Sequence, residues 1–101
     1  MKQSVIVYLK QPVVEQDEYF NEIKSYKKTK YFAQKKSVNY KEFYRAGLQD
    51  LKPDFIFEIK QKNLDIPEII EYNGNEYKVI RVYQKNPDVQ EITVQKKVAY
   101  D

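Results

Sequence analysis

The run Ile69-Ile70-Glu71-Tyr72-Asn73-Gly74-Asn75-Glu76-Tyr77-Lys78-Val79-Ile80-Arg81-Val82-Tyr83 carries the strongest local signal in the chain. Asn73-Gly74 stands between two runs rich in β-branched and aromatic residues. Asn-Gly supplies the positive φ angles that both central positions of a type I′ turn require, so the pair reads as the structural turn of a tight hairpin. Folding about it sets Tyr72 opposite Asn75 and Ile70 opposite Tyr77, with Val79 on the same face. Ile80 and Val82 fall on the other face. A strand apolar on both sides belongs at the centre of a sheet or in a closed barrel.

Working outward, similar patterns recur. Phe55, Phe57 and Ile59 alternate with Ile56, Glu58 and Lys60, which predicts a half-buried strand over Asp54–Lys60. After the turn Lys85-Asn86-Pro87-Asp88, Glu91–Gln95 reads as a further strand with Ile92 and Val94 on one face, followed by an exposed tail over 96–101. At the other end, Ser4–Lys10 predicts a first strand, too short and lacking the cleavage site for a signal peptide. Gln11-Pro12 ends it, because proline cannot extend a ladder. Residues 13–28 lack a period and read as a long loop, and Thr29–Val38 as a second strand.

Tyr40, Phe43, Tyr44 and Leu48 are spaced as one face of a helix. Asn39 stands in capping position with Glu42 three residues later, which predicts a short helix over 39–48 between the second and third strands. The sum is a single mainly β domain over residues 1–101. Its natural closure is a small six-stranded antiparallel β-barrel of SH3/OB-like kind, since closure removes strand edges.

The 101 residues include no cysteine, histidine or tryptophan and two glycines, Gly47 and Gly74. Disulfides, thiolate metal sites and Ser–His or Cys–His nucleophile pairs are therefore excluded, and there is no glycine-rich loop to cradle phosphate. Glu15, Asp17 and Glu18 lack the glycine and terminal glutamate of a calcium loop. The remaining carboxylates are scattered over predicted strand exteriors and turns. We expect neither an enzyme nor a cofactor, and no apolar run approaches the roughly 20 residues that span a bilayer.

The net charge of +3 hides an asymmetry: residues 1–23 sum to −2, residues 24–45 to +7 and residues 46–101 to −2. The basic stretch interleaves lysines with Tyr26, Tyr31, Phe32, Tyr40, Phe43 and Tyr44. That is the composition of a backbone-tracking groove with stacking rings, and equally of core rings beneath a solvated lysine face. Lysine outnumbers arginine sixteen to two, so any contact with nucleic acid is expected to be non-specific and salt-dependent. The face Tyr40/Phe43/Tyr44/Leu48 likewise has two readings, packing on the barrel or meeting a neighbouring subunit.

Three segments in register resemble one family. Lys36-Ser37-Val38-Asn39-Tyr40-Lys41-Glu42-Phe43-Tyr44-Arg45-Ala46-Gly47 is similar to the "KS-x-x-x-x-EFYxAG" segment of the head-closure, or head–tail joining, proteins of tailed bacteriophages. Leu51-Lys52-Pro53-Asp54-Phe55-Ile56-Phe57 resembles that family's approach to its third strand, and Glu71–Tyr83 its Asn-Gly hairpin with "YxVIRxY". The likeness runs from about residue 30 to residue 97. The final strand departs from it in lacking a cysteine, and residues 12–29 do not align.

The resemblance implies a six-stranded barrel, monomeric when made, that assembles as a ring below the portal and adaptor. It would retain packaged DNA and give the tail its attachment surface. Its partners would be a portal-side adaptor, a tail-side completion protein, further copies of itself and, non-specifically, DNA, but no membrane. Its place would be the head–tail interface of the virion, after assembly in the bacterial cytoplasm. The adaptable segment would be Lys35–Pro53, with Tyr40, Glu42, Phe43, Tyr44 and Leu48 at a subunit or connector interface and Lys35, Lys36, Lys41 and Arg45 facing a DNA channel. The alternative function is a free-standing small-barrel nucleic-acid-binding protein.

Overall fold

The computed structural model describes residues 3–45, 47 and 51–97. Six strands, β1 (Gln3–Gln16), β2 (Glu22–Lys36), β3 (Phe55–Lys60), β4 (Ile69–Tyr72), β5 (Asn75–Asn86) and β6 (Val89–Lys96), form a closed antiparallel barrel in the order β1-β2-β3-β6-β5-β4. The short helix α1 (Tyr40–Arg45) lies between β2 and β3. The predicted architecture is thus observed, with the helix shorter than 39–48 and Leu48 outside the described residues.

The Asn-Gly hairpin forms as read. Asn73 and Gly74 take φ of 52° and 80°, and Tyr72 faces Asn75 while Ile70 faces Tyr77. Further along β5 the alternation breaks. Val79 pairs with Val94, Arg81 with Thr93 and Val82 with Ile92, leaving Ile80 as the extra residue of a bulge. The bulge returns Val82 to the core side, so Val79 and Val82 both pack against the core.

That core consists of Val7, Leu9, Ala33, Phe57, Ile59, Ile70, Tyr77, Ile92 and Val94. At one end Phe55, Phe57, Tyr72 and Tyr77 form a cluster with ring centroids 5.4–6.5 Å apart, mostly edge-to-face. Burial, reinforced by the nearby Asp54 charge, pushes the Tyr77 phenol above its ordinary pKa.

The largest correction concerns residues 13–28, which are not a loop. β1 continues unbroken through Pro12, and its register with β2 runs from Gln3↔Lys35 to Gln16↔Glu22. The Lys10 carbonyl accepts the Glu68 N–H on the β4 side. Two residues on, Pro12 turns its backbone the same way, past the end of β4, where a missing N–H breaks no ladder. Asp17 makes the reversal: its Oδ1 accepts the N–H groups of Tyr19 and Asn21, each at 2.9 Å.

Among the described residues, no third strand lies beside the hairpin beyond Lys10. At about 3.3 Å per residue, Pro12–Gln16 carries it roughly 15 Å past β4. The molecule accordingly measures 50 × 30 × 26 Å, and its radius of gyration of 14.9 Å exceeds the ~13 Å of a compact chain of this length.

Candidate assembly surface

The segment between β2 and β3 is tied down at both ends. Asn39 Oδ1 accepts the Glu42 N–H at 3.2 Å, capping α1 as its sequence position suggests. Phe43 is buried and shares a cleft with Ile56 and Thr93 on the outside of β3 and β6, which accounts for the burial of Thr93. The Tyr40 hydroxyl donates to the Pro53 carbonyl at 3.0 Å. Asp54 then stitches the segment to β6, its N–H donating to the Val94 carbonyl and its carboxylate accepting the Lys96 N–H.

The five residues expected at an interface therefore divide. Phe43 faces its own barrel and anchors the helix. Tyr40, Glu42 and Tyr44 remain exposed, with the Tyr40 and Tyr44 rings 6.1 Å apart. Leu48 lies outside the described residues.

The four expected channel cations divide as well. Lys35 and Lys36 are neighbours in a strand and so point to opposite faces. Lys35 Nζ sits 4.1 Å from the Phe55 ring centroid and 5.2 Å from that of Tyr72, capping the aromatic end of the core. Lys36 Nζ bridges Glu91 at 3.0 Å and Glu58 at 3.4 Å, with Lys85 3.8 Å from the same Glu58 oxygen. Burial lowers the Lys36 pKa, but hydrogen bonds and charge from Glu91 and Glu58 outweigh it, and the ammonium titrates above its ordinary value. Lys41 and Arg45 are exposed on α1.

Glu58 lies on the outer face of β3, as its alternation predicts, yet it is not open to solvent. Its side chain is 6% exposed, within this charge cluster.

A second cluster lies on the outer face at the root of the hairpin. Lys10 pairs with Glu76 at 2.6 Å, and Lys28 with Glu71 at 3.1 Å. The Glu76 hydrogen bond holds Lys10 above its usual pKa, and Lys10 in turn holds Glu76 below its own. The +7 stretch is thus spread over several faces, and part of its charge is met by carboxylates of β3, β4 and β6.

The hairpin arm was not anticipated. Its tip, Asp17–Asn21, exposes the Tyr19 and Phe20 rings at 75% and 78%, and Phe20 adopts a φ of 63°. Val14, Ile23 and Tyr26 are also exposed along the stem. The hydrogen bonds from the Asn21 and Tyr19 amides hold the Asp17 carboxyl below its ordinary pKa. Among the described residues no helix is long and apolar enough to cross a membrane, and no group of three or more His, Cys, Asp or Glu could hold a metal ion.

No protein-family model matches the chain, and comparison with curated proteins finds no significant match.

Proposed function

We propose that the chain is a ring-forming subunit of the head–tail connector of a tailed bacteriophage. It sits between a portal-side adaptor and a tail-side completion protein, retains packaged DNA and offers the tail its docking surface. The observation that carries this reading is the arm. A monomeric barrel gains nothing from a two-stranded ribbon reaching roughly 15 Å past its neighbouring strand with two large rings in solvent at its end. A subunit that must grip its neighbours does. The closed six-stranded barrel agrees with the fold that the sequence resemblance implies.

The decisive experiment is electron microscopy of lysates from a phage or induced prophage with this reading frame deleted. Separate tails and heads that have lost their DNA support the role, and joined infectious particles refute it.

The alternative, a free-standing nucleic-acid-binding barrel, draws support from the outer face of the hairpin. There Lys28 lies 5.0 Å from the Tyr8 ring and Lys30 5.7 Å from the exposed Phe32 ring, an arrangement suited to stacked bases and phosphate. It requires the isolated chain to bind DNA at low salt, with affinity falling steeply as salt rises.

A further inference from the structure

We propose that the tip of the β1–β2 hairpin seats in a groove beside β5 on a second copy of this chain, an inference that rests on the ring reading above. The groove, about 650 Å³, has an apolar lining of Ile66, Pro67, Ile69, Ile80 and Val82. Its rim carries Lys78, Arg81 and Lys97 against a single carboxylate, Glu68, which accepts the Tyr26 hydroxyl at 3.0 Å. Ile66 stands 63% exposed at its edge.

The tip is the chemical converse. Residues 15–22 hold Glu15, Asp17, Glu18 and Glu22 with no base among them, and they surround the exposed rings of Tyr19 and Phe20. Apolar surface with an acidic surround meets apolar surface with a basic rim, which steers encounter and fixes register.

Phe20 is an independent observation in the same direction. At φ 63° a side chain with a Cβ is held in the left-handed region at a cost of about 1–2 kcal/mol. A ring that is both strained and in solvent does nothing for its own fold, whereas buried aromatics are the usual anchors of an interface.

The occupant is another copy because the tip cannot reach its own groove. Tyr26 of the stem meets Glu68 at the groove's edge, and from there the paired strands run on to Gln16↔Glu22 without a break that would let them fold back. Tip and groove are different surfaces, so the contact is heterologous, the kind that makes a ring where its rotation closes. Two rings bury about 150–250 Å² each, well short of the roughly 800 Å² per partner of a stable pair. The contact is weak between two free chains and gains strength when the ring closes.

The native chain has no cysteine, which permits a clean cross-linking test. Full-length Tyr19→Cys chains are mixed with Ile66→Cys chains and oxidised, with Asp88→Cys as the control partner and folding of each variant verified by circular dichroism. The expected result is a disulfide-linked pair at Ile66 at least tenfold more abundant than at Asp88. It should be lost when Lys78→Glu and Arg81→Glu are added to the groove chain, and recovered when Glu18→Lys and Glu22→Lys are added to the arm chain. Equal yields at the two positions, or yields indifferent to charge reversal, overturn the proposal. Absent cross-links combined with separated heads and tails in the deletion phage would leave the connector role standing and assign the arm to a different protein. Specific cross-links with normal particles would do the reverse.

Discussion

Replacing Lys36 by methionine should destabilise the barrel by about 2 kcal/mol. The ammonium is the cation between two carboxylates, 3.0 Å from Glu91 and 3.4 Å from Glu58, and the Glu58 side chain is 6% exposed. Removing one partner of a fully buried pair costs about 3–5 kcal/mol. Here Lys36 keeps 23% of its side-chain surface and Lys85 stays 3.8 Å from Glu58, which reduces the figure. At roughly 4–8 °C per kcal/mol for a domain this small, the melting temperature should fall by about 8–16 °C. Adding Glu58→Gln should recover roughly half of the loss, a coupling of about 1 kcal/mol.

The pH dependence follows from the same geometry. The folded-state pKa of Lys36 lies above the ordinary 10.5. Its stabilisation is therefore fully present below that value and is lost as pH rises through the higher folded value. The variant should lack that portion of the alkaline loss. Urea unfolding followed by far-ultraviolet dichroism and by the fluorescence of the ten tyrosines reads all three. A loss under about 0.5 kcal/mol with no coupling to Glu58 would refute the reasoning and return Lys36 to the solvent-facing, DNA-channel role. A test of that channel should meanwhile rest on Lys41→Ala and Arg45→Ala, which leave the cluster intact.

Phe57→Ala, emptying the centre of the aromatic cluster, should cost about 3–5 kcal/mol, a large part of the roughly 5–15 kcal/mol that holds a domain of this kind, read as a lowered urea midpoint. Gly74→Ala meets no atom within 4 Å, yet sits at φ +80°, so about 1 kcal/mol should be lost through backbone strain alone, read by denaturant midpoint. Phe20→Gly should do the opposite, raising stability by about 0.5–1 kcal/mol while abolishing the Tyr19–Ile66 cross-link. The hydrogen-bonded turn at Asp17 should persist above the ordinary carboxyl pKa of 3.8 and be lost as pH falls through its lowered folded value, visible as collapse of the Tyr19 and Asn21 amide shifts.

What the sequence disclosed was what nearest neighbours determine. The Asn73-Gly74 turn, the Asn39 cap and the alternation of Phe55, Phe57 and Ile59 depend on a few adjacent residues, and each could be read off. The bulge at Ile80 is a matter of how β5 registers against β6, which no alternation within β5 records, so the side taken by Val82 could not be. Glu58 read only as a strand-exterior residue because alternation marks it polar, and its cationic partners Lys36 and Lys85 come from two other strands. The arm was hidden for a different reason. A two-stranded ribbon with no core beneath it has no apolar face to impose a period of two, and Pro12 mimics a stop. The groove joins β5 to the segment before β4 and carries no local signal. The basic stretch was visible as charge but not as geometry, which its carboxylate partners decide.

The hairpin joins the rest of the barrel by two short seams, Tyr8–Lys10 against β4 and Gln34–Lys36 against β3. A load applied at the tip runs along both strands. It therefore acts on each seam in shear, straining all of a seam's hydrogen bonds together instead of peeling them one at a time. A pair of seams only three residues long can thus resist an axial pull well while yielding readily to a sideways one. In mechanical terms the arm is a tether rather than a lever, stiff toward a neighbour in line with it and compliant toward anything that pushes it aside.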